Sequence, residues 1–270
     1  MSVRSEGERM KKRILSSIGL LVILIGSIVL GSKAFGIVMV FVAILGYREL
    51  FCIKYKERYH DISVMSFLGY FNLVLICLND VFFQIDNTFV TLLPILTLTI
   101  PVVFYSDTKK YNITDAFFLL GSVFFLGFSF HNIIYMAKVD IYQCILIFLI
   151  AFITDTYAYI GGSLIGRYPL TSISPKKTIE GSIIGTIMGC LIGSIYYNLA
   201  IGGFSIGIIV LLCFFLTILS EIGDLVFSSI KRYFNKKDYS DIIPGHGGIL
   251  DRFDSVIFVS LGLSLLIIFL

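Results

Sequence analysis

Nine apolar runs, most of them near the length needed to cross a bilayer, leave this chain few ways to fold. They fall near 14–31, 34–46, 64–78, 89–105, 116–130, 141–160, 179–200, 204–225 and 253–270. A spanning helix takes about 20 mostly apolar residues, and inside hydrocarbon only helices and closed barrels satisfy every backbone N–H and C=O. Charged residues make up 14% of the chain and hydrophobic residues 57%, whereas soluble domains carry about 25% charged residues. The expectation is an all-α integral membrane protein with about nine transmembrane helices. The first two runs are short and separated by Ser32-Lys33, which suits a tight hairpin. The basic residues ahead of the first run imitate a signal peptide, but no A-x-A-like site follows, so that run is read as a retained helix.

The basic residues orient these spans. With the N-terminus inside, segments 1–13, 47–63, 106–115, 161–178 and 226–252 share one side, and they hold every Lys and Arg except Lys33 and Lys138. Cytoplasmic loops collect Lys and Arg, so the N-terminus is expected in the cytoplasm and the C-terminus outside. Two regions follow: about five helices over 1–140, then 141–270 with the polar loops 161–178 and 226–252. The five cysteines are scattered without a CxxC pair and read as small buried hydrophobes.

The most polar long stretch runs from Ser228 to Asp254 and sets Lys231, Arg232, Lys236, Lys237 and Arg252 beside four aspartates around Pro244-Gly-His-Gly-Gly248. Upstream, Glu221 and Asp224 stand three apart, on one helix face. Ser220 and Ser228 flank Asp224 at i−4 and i+4. Ionisable groups in a spanning segment are costly and point by default to function, although these two also suit the plain end of a helix. Asp251 and Asp254 open the last run. Capping explains Asp254 adequately, while a folded-back loop would bring Asp251 near Asp224, and two hard carboxylates from different elements suit Mg²⁺. His246 in its glycine turn serves equally as base, ligand or turn donor. Asp155 lies near the end of the sixth run, and Ser174, Lys176, Lys177 and Thr178 precede the seventh. Lysines, hydroxyls and a helix N-terminus form a phosphate cradle. The plainer alternative is a positive-inside loop with Ser174 as N-cap and Pro175 at the first helical position. Gly181, Gly185, Gly189 and Gly193, at a strict spacing of four, predict close helix packing.

These residues resemble the phosphatidate cytidylyltransferases, also called CDP-diacylglycerol synthases. The family signature falls on Ser228, Lys231, Arg232, Lys237, Asp238, Ser240, Pro244, His246, Gly247, Gly248, Asp251, Arg252 and Asp254 without departure. Asp155-Thr156-x-Ala158-Tyr159 and Ser174-Pro175-x-Lys177-Thr178-x-Glu180-Gly181 resemble two further family stretches. In the second, Lys176 and Ile179 stand where the family often has Gly and Trp.

The resemblance implies a reaction in which CTP and phosphatidate give CDP-diacylglycerol and pyrophosphate. It implies a homodimer, with no nucleic acid expected among the partners. The distribution of Lys and Arg puts the site on the cytoplasmic side, and the short chain suits a prokaryotic plasma membrane. The resemblance also implies Mg²⁺ with a monovalent ion such as K⁺, at acids matching Asp224 and Asp251, with Glu221 and Asp155 as supporting or alternative ligands. Lys177, Lys231 and Arg252 would offset phosphate charge, and His246, Gly247 and Gly248 would shape the triphosphate pocket. Rivals stand beside this reading: a CTP-dependent lipid kinase or a cytidylyltransferase acting on another lipid phosphate, a transporter or channel using the intramembrane acids for ion passage, and a structural membrane scaffold. Clustering of the charge at one face speaks against the transporter.

Overall fold

The computed structural model describes residues 19–56, 62–105, 110–243 and 247–269. His246, a candidate of the sequence reading, lies outside the described residues. Among the described residues the structure is helical apart from isolated β-bridges. The helices are α1 (Gly19–Val29), α2 (Ser32–Tyr55), α3 (Ser63–Leu78), α4 (Asn87–Thr99), α5 (Pro101–Phe104), α6 (Ile113–Val139), α7 (Ile141–Ile165), α8 (Ile179–Ala200), α9 (Ile206–Tyr233) and α10 (Leu250–Phe269). Among the described residues every apolar run holds helix, α4 and α5 together forming the fourth.

Seven of the described segments are long and apolar enough to cross a membrane, with α4 and α5 counted as one; α1 and α3 are shorter. Hydropathy misplaced several ends. The second run is not short, because α2 continues through Arg48, Glu49 and Lys54 to Tyr55. Likewise α9 carries Glu221, Asp224, Lys231 and Arg232 on unbroken helix, and α10 starts early enough to hold Asp251 and Arg252 in its first turn. The polar loop 226–252 is therefore helical at both ends. A hydropathy window loses a helix when its residues turn polar, whereas the backbone continues until a stop signal. For α9 that stop is Asn235, held at φ +55°, the left-handed conformation that Asn tolerates just past a helix end.

The structure divides into two compact units. One runs through Lys138 and includes Asp238–Leu250; the other comprises Val139–Lys237 and Asp251–Leu270. The second unit is built on the glycine stripe of α8. A Cβ on Gly185 would stand 2.7 Å from the Thr154 carbonyl oxygen, and one on Gly181 would stand 2.5 Å from that of Ala158. The α7 backbone fits against α8 only because those side chains are missing, the close approach expected of small residues in membranes. On α8, Ile183, Ile187, Leu191, Ile195 and Leu199 are more than half exposed. In water that stripe would be a liability; against lipid it is an ordinary outer face.

Candidate active site

Within the second unit, α7, the loop 166–178, α9 and α10 bring ionisable side chains to one place. On α9 these are Glu221, Asp224, Ser228 and Lys231, offsets of three, seven and ten that keep them on one face. The Lys177 ammonium lies 2.5 Å from Asp224 Oδ2, and Ser228 Oγ donates to Asp224 Oδ1 at 3.2 Å. One turn on, Lys231 Nζ donates to Asp251 Oδ1 at 2.5 Å. Asp155 of α7 accepts from Ser255 Oγ at 3.3 Å. Asp254 is only 8% exposed and lies within electrostatic reach of Asp224, Asp155 and Lys231.

Lys177 is positioned by a local fold that neither alternative of the sequence reading described. The Lys177 amide donates to the Ser174 carbonyl at 3.0 Å, closing a turn over Pro175, and Leu170 N donates to the Lys177 carbonyl at 2.7 Å. Ser174 is therefore not the N-cap. That role belongs to Thr178, whose hydroxyl accepts from Gly181 N at 3.2 Å. With Pro169 and Thr178 bridged, the loop returns across itself and delivers Lys177 beside α9. Burial favours the neutral amine, but Asp224, Asp155 and Asp254 outweigh it and hold the Lys177 pKa above its ordinary value. Lys177 is thus a permanent cation at neutral pH.

Glu221 is engaged differently. Ser182 Oγ donates to one of its oxygens and Thr186 Oγ1 to the other at 3.3 Å, which ties α9 to α8. Neither hydroxyl stood out in the sequence, although both lie on α8 at a helical spacing of four. Asp254, read from sequence as a cap, lies four residues beyond the start of α10 and is buried with the other acids. Lys176, Lys237 and Arg252 are exposed. Gly247 and Gly248 belong to the other unit.

The donor chemistry suits a hard cation. Among the described residues named here, five carboxylates stand against two lysines, and all-oxygen sets suit Mg²⁺-like ions. Among the described residues, no three His, Cys, Asp or Glu side chains gather around one point. An ion held by these residues would take few protein ligands and fill its remaining positions from water and substrate, as Mg²⁺ can.

Residues 11–270 match the sequence profile of the Cytidylyltransferase family. The chain belongs to that family. A phosphatidate cytidylyltransferase of Staphylococcus haemolyticus is 39% identical over 161 residues, 59% of this chain and 62% of the relative. One of Staphylococcus aureus strain COL is 37% identical over the same length. That of Bacillus subtilis is 29% identical over 259 residues, covering 93% of this chain and 94% of the relative. The chain thus spans about three-fifths of the staphylococcal relatives it matches and nearly all of the Bacillus one.

Proposed function

We propose that this chain is a phosphatidate cytidylyltransferase, joining CTP and phosphatidate into CDP-diacylglycerol and releasing pyrophosphate. The observation that carries the proposal is the pairing of Lys177 with Asp224 and of Lys231 with Asp251, inside one acid cluster of a Cytidylyltransferase-family chain. The phosphate of phosphatidate is already ionised and attacks the α-phosphorus of CTP in line, so no protein nucleophile is needed. Positioning and charge neutralisation then supply the rate, as in phosphoryl transfer generally.

Asp224 and Asp251 are the residues that would hold Mg²⁺, with Glu221 and Asp155 supporting and K⁺ as an accompanying ion. When bound, the cation neutralises the charge that builds on the triphosphate oxygens. Lys177 and Lys231, now held by carboxylates, would turn to substrate phosphates, with Arg252 as a third cation. His246, Gly247 and Gly248 would contribute to nucleotide binding, with Ser174, Lys176, Thr178 and Lys237 as further substrate contacts. All nine apolar runs span in this reading, with the N-terminus and the site on the cytoplasmic side of a bacterial plasma membrane and the C-terminus outside. The working form is a homodimer.

The test is product analysis with labelled CTP, phosphatidate and Mg²⁺. A labelled lipid with equimolar pyrophosphate is the expected result. CDP together with a newly phosphorylated neutral lipid would assign a kinase instead. Absence of any CTP-dependent product from folded protein would remove the transferase reading.

A further inference from the structure

In the first unit, on α2, one carboxylate is almost completely enclosed. Glu49 of α2 is 1% exposed, and its partners come from a segment some two hundred residues away. Its Oε1 accepts from Ile249 N and its Oε2 from Leu250 N, each at 2.8 Å. The Ser240 hydroxyl also donates to Oε1. Ile249 and Leu250 are themselves buried, so their amides have no recourse to solvent. Leu250 opens α10 and Ile249 stands just ahead of it; a helix leaves its first amides without intrahelical partners, and a negative charge at that end also matches the helix dipole.

Glu49 therefore holds both arms of one loop. Ser240 stands on the incoming arm and Ile249 and Leu250 on the outgoing one. Between them Ile243 N donates to the Gly247 carbonyl at 3.0 Å, closing the neck, and Ile242 N donates to Ser240 Oγ at 3.3 Å. Gly248 shows how closely the carboxylate is seated: a Cβ there would lie 2.6 Å from Glu49 Oε1. The glycine at this point of the motif is thus explained by the approach of Glu49, independently of any ligand. Gly247 adds a φ of +85°, a conformation open to glycine at no steric cost.

We propose that Glu49 is a positioning residue for the transferase: its buried carboxylate clamps the two arms of the 240–250 loop and sets the conformation in which the Gly247-Gly248 turn meets substrate. The proposal rests on the cytidylyltransferase reading for its effect on turnover, but not for the clamp itself. At least three donors converge on its two oxygens. Gln offers one oxygen and turns an N–H₂ toward amide donors, while Asp keeps the charge and loses reach.

Two measurements on the full-length protein in detergent test this. Hydrogen exchange at the Ile249 and Leu250 amides requires no turnover. Glu49→Gln is expected to accelerate it at least tenfold while amides in the middle of α8 keep their rates. Unchanged exchange would overturn the clamp, whatever reaction the protein performs. In steady-state kinetics, corrected for folded fraction, Glu49→Gln is expected to raise KM for CTP and lower kcat, together at least tenfold in kcat/KM, with Glu49→Asp intermediate.

Asp115→Asn is the control for a merely structural role. Asp115 is buried on α6, paired with Lys54 at 3.5 Å and Tyr55 at 3.1 Å. Its loss should lower the folded fraction and leave both constants of the remaining molecules unchanged. Equal kinetic constants for folded Glu49→Gln and wild type would overturn the positioning role. If Glu49→Gln does not fold, Glu49→Asp carries the same comparisons. A wild-type protein that makes no CTP-dependent lipid would sink the transferase reading, while exchange would still decide the clamp.

Discussion

Lys177 and Asp224 illustrate how single residues carry the proposed chemistry. Each is about one-quarter exposed, so their attraction is neither that of a surface pair nor that of a dry one. Asp224→Asn removes a charge that Lys177 and the proposed cation both use, while Ser228 retains an oxygen to donate to. Turnover should fall on the order of 10²–10³-fold, the range seen when one preorganised electrostatic partner is lost, with the thermal midpoint in detergent nearly unchanged. Asp251→Asn should behave similarly. Near-normal turnover in both variants would end the assignment of these carboxylates. Sequence pointed to this pair because acids are conspicuous in apolar helix and because the signature names one of them. It did not reveal the burial of Asp254, since an acid near a helix start looks the same whether it caps or faces inward. Nor did it reveal Glu49, whose partners lie two hundred residues away and whose neighbours Arg48 and Lys54 make it look like one more charge at a helix end.

At the scale of elements, the second unit depends on how closely α7 and α8 approach. The four-residue glycine spacing made that contact legible in advance, because no other residue leaves the same bare stripe. Gly185→Val would push a branched side chain against the Thr154 carbonyl and the Ala158 methyl, 2.7 and 2.8 Å from even the first added carbon. Overpacking typically costs about 1–3 kcal/mol, and the upper end is expected where the obstacle is backbone. Asp155 and the loop carrying Lys177 are attached to those two helices, so activity should fall along with stability. Gly121 of α6 is the contrasting case, with nothing within 4 Å of an added Cβ. Gly121→Ala should be neutral or gain up to about 1 kcal/mol from helix propensity. Thermal unfolding of both variants in one detergent checks the pair. A tolerated Gly185→Val would mean that α7 and α8 pack less closely than this. Helix ends were the least legible feature at this scale, since hydropathy falls several residues before α9 and α6 stop.

For the whole molecule, the side on which each loop after α2 lies turns on α3. At 16 residues and about 1.5 Å of rise per residue it covers roughly 24 Å, less than the hydrocarbon thickness of about 30 Å. It crosses only if its flanks complete the span or the bilayer thins around it, at a modest cost for mismatch of that size. The basic residues argue that it does. If α3 turned back, Lys56 and Lys110 would face opposite compartments, and every later loop would exchange sides, leaving Lys176, Lys177, Lys231 and Lys237 outside. That would violate the positive-inside bias and strand the acid cluster away from intracellular CTP. The nine-span arrangement therefore predicts the labelling pattern of single cysteines, introduced one at a time into an otherwise cysteine-free protein. In intact cells, cysteines replacing Lys33 and Lys138 should react with a membrane-impermeant maleimide. Those replacing Lys56, Lys110 and Lys237 should react only after permeabilisation. Lys110 is the deciding position: its labelling from outside, with Lys56 protected, would make α3 a re-entrant helix.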